Sequence, residues 1–117
     1  MFASLSPAVA ALLILTPVII AGGQILFKQA GVRGNGDPFV QTLFDPVFIV
    51  AVALYGLATL MWVYVLKAVP LSFAYTFMAL SYVLVPLLAV MFLGETLNWR
   101  YGLGALLIIA GLLIVQS

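Results

Sequence analysis

Residues 7–29 read PAVAALLILTPVIIAGGQILFKQ, an apolar run whose only ionisable side chain is Lys28, one helical turn after Gln24. About 20 consecutive, mostly apolar residues cross the hydrocarbon of a bilayer as an α-helix, and this run is long enough. Residues 46–66, 73–93 and 99–115 form three further runs of the same character. Lipid offers backbone N–H and C=O groups no partner, so such segments satisfy themselves as helices. The expected fold is all-α and integral to the membrane: one multi-pass four-transmembrane-helix bundle over residues 1–117, with no separate soluble domain.

The composition points the same way. The chain has 117 residues, 67% of them apolar and 6% charged, and a mean hydropathy of +1.35. Soluble domains are only about half apolar. A net charge of +1 without a clustered basic face excludes nucleic acid as a partner class. With neither cysteine nor histidine, disulfides, thiol chemistry and the usual metal sites are excluded, and nothing calls for a cofactor. A secretory signal needs a positive first region and a short apolar stretch. Met1 to Pro7 contains no Lys or Arg and the run beyond is too long, so the first span is expected to be a retained helix.

Short connections separate the runs. Gly31-Val32-Arg33-Gly34-Asn35-Gly36-Asp37-Pro38 reads as a loop after span one. Residues 39–45 are mixed and suit the membrane interface, and Pro46 begins the next helix, where its missing N–H costs nothing. Lys67 ends span two, with Ser72 as the expected cap of span three. Gly94-Glu95-Thr96-Leu97-Asn98 forms the last turn, with Asn98 capping span four. Lys28, Arg33 and Arg100 fall on the side of the first and third loops, and Lys67 on the side of the termini. The positive-inside rule favours cytoplasmic first and third loops and termini outside. A bias this small also leaves room for insertion both ways, or for pairing with an oppositely oriented homologue.

No carboxylate lies inside a run and, apart from Arg100 at the very start of the fourth, Lys28 is the one charged group that reaches into one. An intramembrane ionisable residue needs a partner or a watery route, which makes it a functional-site candidate. Gln24 and Lys28, at i and i+4, share a helix face and offer an amide and a cation to a phosphate. Alternatively, Lys28 snorkels to the interface and the Gln24 amide bonds a neighbouring helix. Tyr75, Ser81 and Tyr82 on span three, with Trp62 on span two beside Tyr55, Thr59 and Tyr64, supply hydroxyls and aromatic faces. They line a groove for a sugar or polar headgroup, or they form an interfacial aromatic belt.

Other residues read as structural. Pro17 with Gly22 and Gly23 marks span one as bent or closely approached, and Pro86 is expected to kink span three. Gly104 and Gly111 make a smooth strip on span four, suited to a dimer seam or to packing within the monomer. Glu95 and Arg100 each sit at the unfavourable end of a helix dipole, which an ion pair between them, or with lipid headgroups, would relieve. Nothing resembles a nucleophile with its base or a phosphate-binding glycine loop, so no enzyme is expected.

Gly23-Gln24-Ile25-Leu26-Phe27-Lys28-Gln29-Ala30, Val69-Pro70-Leu71-Ser72-Phe73-Ala74-Tyr75, and Gly94-Glu95-Thr96-Leu97 leading to Gly104 and Ala110-Gly111 together resemble the drug/metabolite transporter superfamily, in its four-helix small-multidrug-resistance-like branch. The Gly-Gln-x-x-x-Lys-Gln-Ala pattern is similar to the subunits that flip aminoarabinose-phosphoundecaprenol in bacterial lipid A modification. The multidrug exporters carry an essential glutamate in helix one, and Ile20 occupies that position here. The resemblance implies a bundle that dimerises through helix four, as a homodimer or as a heterodimer with a homologous four-helix subunit. It also implies a substrate groove between helices one to three of two subunits, in the bacterial inner membrane.

The expected function is therefore a subunit of a transporter or flippase for a polyprenyl-phosphate-linked sugar, an anionic lipid-linked substrate. One alternative is export of a small polar or cationic compound. The other is a non-transporting membrane subunit that assembles a glycosyltransferase.

Overall fold

A computed structural model describes residues 4–116, so part of the segment weighed as a signal region, Met1 to Ala3, lies outside it. Among the described residues every regular element is a helix: α1 Pro7–Arg33, α2 Phe39–Thr42, α3 Pro46–Leu66, α4 Leu71–Phe77, α5 Leu80–Leu93 and α6 Trp99–Gln116. α1, α3 and the combined segment Leu71–Leu93 are each long and apolar enough to cross a membrane, and α6 supplies a shorter apolar helix.

Local chemistry sets the helix starts. Ser6 caps α1 by accepting the Val9 N–H at 3.2 Å, and Pro7 occupies the first turn. Asp45 caps α3 by accepting the Val47 N–H at 2.8 Å, ahead of Pro46. Asn98 Oδ1 accepts the Tyr101 N–H at 2.9 Å at the start of α6. α1 continues through Gly31 to Arg33, so the expected loop begins one turn later. A helical glycine costs about 1 kcal/mol, but buried Ala30 anchors this last turn. Arg33 also lies 3.2 Å from Asp45 and suits the negative end of the α1 dipole.

Asp45 thus serves two ends at once. Asp45→Ala should cost about 1–2 kcal/mol, mostly from the lost cap, whereas Asp45→Asn keeps the cap and should cost less than half of that. Thermal midpoints in mild detergent check both.

The expected third span is broken. α4 starts at Leu71 with Pro70 before it, so Ser72 lies inside the helix and is not its cap. The helix stops at Phe77 and resumes at Leu80, while Pro86 sits inside α5 without interrupting it. Side-chain hydroxyls bond backbone carbonyls on either side of the break. Thr76 Oγ1 donates to Phe73 O at 2.7 Å and Ser81 Oγ to Met78 O at 2.6 Å. The Met78 and Ala79 N–H groups reach only three residues back, to Tyr75 O at 3.0 Å and Thr76 O at 3.2 Å. Side-chain hydroxyls that bond nearby carbonyls compete with the regular ladder, and the turn tightens to 3₁₀ form.

α1 packs most extensively on α3 and then on α5, while α6 rests mainly on α4. Small residues let α1 and α3 approach: Ala21, Ala30, Ala51 and Ala58 are fully buried. Phe27 packs edge-on to Phe48, ring centroids 5.8 Å apart, and against Tyr55 at 6.0 Å. A methyl group at Gly23 would meet Ala51 O and the Tyr55 ring at 3.9 Å, an ordinary contact. At the other end of the bundle Val9, Leu13, Val65, Val69 and Ala74 form the core cluster, with Trp62 packed against it.

Pro17 is buried inside an unbroken α1, next to Thr16, whose buried hydroxyl has no hydrogen-bond partner. An unpaired buried polar group costs about 1–3 kcal/mol. Thr16→Val should therefore raise the unfolding free energy by about 1 kcal/mol, read from the unfolding midpoint in detergent.

Candidate functional site

A cavity of about 400 Å³ opens where the long helices meet. Gln24 enters it from α1, Tyr55 from α3, Tyr75 from α4, and Ser81 and Tyr82 from α5. Met78 and Ala79, the residues of the helix break, form part of its wall, and Ile20, Ile108 and Leu112 supply apolar surface. Ile20 is the middle residue of α1, so Gln24 stands about 6 Å from the helix midpoint and Lys28 about 12 Å.

The polar groups here are free to bind. Among the described residues, neither the Gln24 amide nor the Tyr75 and Tyr82 hydroxyls have a hydrogen-bond partner within the protein. A bond from Gln24 to a neighbouring helix is not formed. Ser81 spends its proton on Met78 O and keeps its oxygen as an acceptor. The cavity carries no charged side chain, and the Ile20 position contributes an alkyl group to its wall. Such a lining can bind a neutral, hydroxyl-rich group and gives a bare cation no counter-charge.

Lys28 lies elsewhere. It lines a cavity of about 680 Å³ at the end of α1, with Arg33, Val47 at the start of α3, and Phe92 and Glu95 at the end of α5. Gln24 and Lys28 share a face of α1 but open into different cavities, so they do not make one phosphate site. Trp62 packs, partly buried, against the core cluster and does not line the central cavity. The Glu95–Arg100 ion pair is also absent: Arg100 lies over the Trp99 ring, 5.6 Å from its centroid. Gly104 lines a shallow cavity of about 340 Å³ beside Tyr82 and Arg100, and Gly111 is exposed.

A third cavity of about 440 Å³ is apolar, walled by Ile14, Phe77, Leu80, Val83, Ile109 and Leu113 among others. It shares Ala79 and Leu112 with the central cavity, so a hydrocarbon groove adjoins the polar pocket. Of the span-two residues named for a groove, Tyr55 lines the central cavity, and the Met78–Ala79 break is the site feature that reading the sequence for motifs did not single out.

A bundle of long apolar helices, with a broken helix lining a polar pocket at mid-depth, defines a multi-pass membrane protein built like a transporter. The chain belongs to the EamA-like transporter family, whose family model matches residues 1–117.

Its relatives include a protein of Aeromonas salmonicida (strain A449) named "Probable 4-amino-4-deoxy-L-arabinose-phosphoundecaprenol flippase subunit ArnE". The two are 36% identical over 106 residues, which is 89% of this chain and 93% of the relative. A protein of the same name from Erwinia tasmaniensis is 37% identical over 107 residues, 91% of this chain and 94% of the relative. The corresponding subunit ArnF of Shewanella sediminis is 47% identical over 74 residues, 60% of this chain and 51% of that protein. No solved structure matches the chain.

Proposed function

We propose that this chain is a subunit of a flippase that carries a polyprenyl-phosphate-linked sugar across the bacterial inner membrane. The observation that carries the reading is the uncharged central cavity, where Gln24, Tyr75, Ser81 and Tyr82 converge and Ile20 takes the place of an acid. Sugar hydroxyls exchange hydrogen bonds with these groups as the headgroup crosses. The adjoining apolar groove gives the first isoprene units a wall to follow. Export of cations is disfavoured because nothing in the pocket balances a positive charge.

The four helical runs act as four spans, α4 and α5 together making the third. Cytoplasmic first and third loops place the Lys28 cavity on the side where the lipid-linked sugar enters. The protein extends 49 × 35 × 19 Å, and a thickness of 19 Å is about two packed helices. So flat a slab leaves the central cavity open on one side, which favours completion by a second subunit. α6 offers the surface for it: Leu106, Leu107, Ile114 and Val115 are exposed, and a methyl group added at Gly104 or Gly111 meets nothing. The partner is a second copy or a homologous subunit.

The reading is tested by reconstituting the chain, alone and with a homologous subunit, and following fluorescent undecaprenyl-phosphate sugar between leaflets. Protein-dependent flipping is expected. A folded protein that flips nothing, yet gives cells proton-linked resistance to cationic compounds, would be an exporter instead. The seam is tested separately with Gly111→Cys in this cysteine-free chain. A bifunctional thiol reagent should trap dimers in membranes, and a control cysteine at Leu60, exposed on α3, should trap far fewer.

A further inference from the structure

The cavity of about 680 Å³ at the end of α1 lies between two helix ends that carry unlike charges. Lys28 lines it from α1 and Glu95 from the end of α5, and among the described residues neither is in an ion pair. Arg33, the third charged group on its wall, is held by Asp45 at 3.2 Å, which ties the end of α1 to the start of α3. That side of the mouth is pinned. The α5 side is built differently: α1 is its one extensive neighbour, and the Met78–Ala79 break separates it from α4. Glu95 is fixed to the helix end, because Gly94 adopts φ +70 and the Gly94 and Glu95 N–H groups both turn back to Ala89 O, the latter at 3.3 Å. Only glycine takes that left-handed turn without strain. From the break to Glu95 is about 24 Å along the helix, so a swing of about 10° carries the carboxylate about 4 Å.

We propose that Lys28 and Glu95 are the two halves of a latch, pairing when the end of α5 swings onto α1 and so shutting this mouth of the transport path. Glu95 stands beside the negative end of the α5 dipole, so the approaching ammonium group is attracted by both. An exposed ion pair shifts an equilibrium by at most about fivefold, enough to bias a gate and too little to lock it. The latch goes beyond the flippase reading, because it concerns how the mouth shuts whatever the cargo. It leaves the uncharged central cavity as the place where cargo is bound.

The experiment uses this cysteine-free chain carrying Gln29→Cys, at a residue that lines the mouth, reconstituted without substrate and labelled with a membrane-impermeant maleimide. Asn35→Cys, in the exposed turn after α1, gives a reference rate on the same side of the membrane and corrects for insertion direction. Lys28→Gln and Glu95→Gln should each raise the Gln29→Cys rate about two- to fivefold. A purely local effect on the thiolate would move those two variants in opposite directions. The double neutral variant should label no faster than either single one, and exchanging the charges, Lys28→Glu with Glu95→Lys, should restore the wild-type rate. Salt at 1 M should speed labelling of the wild type and leave the neutral variants unchanged. Single variants at the wild-type rate, or a charge-exchanged protein as fast as the single variants, overturn the latch. Additive effects of the two neutral substitutions overturn it as well, which keeps the test decisive should the exchanged chain not fold. The flipping assay succeeds or fails independently of these rates.

Discussion

Gln24→Leu should cut the flipping of a fluorescent undecaprenyl-phosphate sugar by about ten- to a hundredfold at equal amounts of folded protein. The amide projects into the central cavity and has no partner among the described residues, so its hydrogen-bonding capacity is available to the passing headgroup. A headgroup hydroxyl left without its partner costs about 1–3 kcal/mol, and each 1.4 kcal/mol or so is a factor of ten in rate. Leucine keeps the volume and removes both donor and acceptor. Gln24→Asn keeps the chemistry on a shorter stem and should lose less. Flipping by Gln24→Leu at the wild-type rate would remove the central cavity from the translocation path.

The largest stability effect should come from Leu13→Ala. Leu13 is fully buried in the core cluster with Val9, Val65, Val69 and Ala74. Truncating a buried leucine costs about 2–5 kcal/mol, and much of that is the cavity left behind. In a bilayer the value should fall toward the lower end, because lipid tails are as apolar as leucine and the transfer contribution drops out. What remains is the packing that holds α1 against α3 and α4. Leu60→Ala removes the same atoms from an α3 side chain that is 71% exposed and should change stability by less than about 0.5 kcal/mol. Unfolding midpoints in a graded detergent mixture compare the two; equal losses would mean that the core cluster does not hold the bundle.

Some of the fold and of the site is legible along the chain. Asp45-Pro46 at the start of α3 and Gly94 at the end of α5 carry their instructions locally, in a capping oxygen, a missing N–H and a left-handed turn. Other features are not local. The end of α1 lies past Gly31 because buried Ala30 and the Arg33–Asp45 pair outweigh a poor helix former. The break at Met78–Ala79 is flanked by hydroxyls of Thr76 and Ser81 that turn onto the backbone, whereas Pro86, the obvious suspect, leaves α5 intact. Tyr75, Ser81 and Tyr82 share the cavity with Gln24, while Lys28 and Trp62 do not.

The sequence by itself determined the class of protein. In hydrocarbon the backbone has only its own helix to bond with, so a long apolar run leaves no other choice. It also determined the missing acid, since Ile20 can take no proton in any packing. Only the tertiary structure decided which groups act together. The period of one helix places Gln24 and Lys28 on a common face, but the neighbours of that face depend on how α3, α4, α5 and α6 are rotated against it. Those rotations divided the pair between a neutral chamber and a charged mouth, because the tyrosines gather beside Gln24 and Glu95 lies with Lys28.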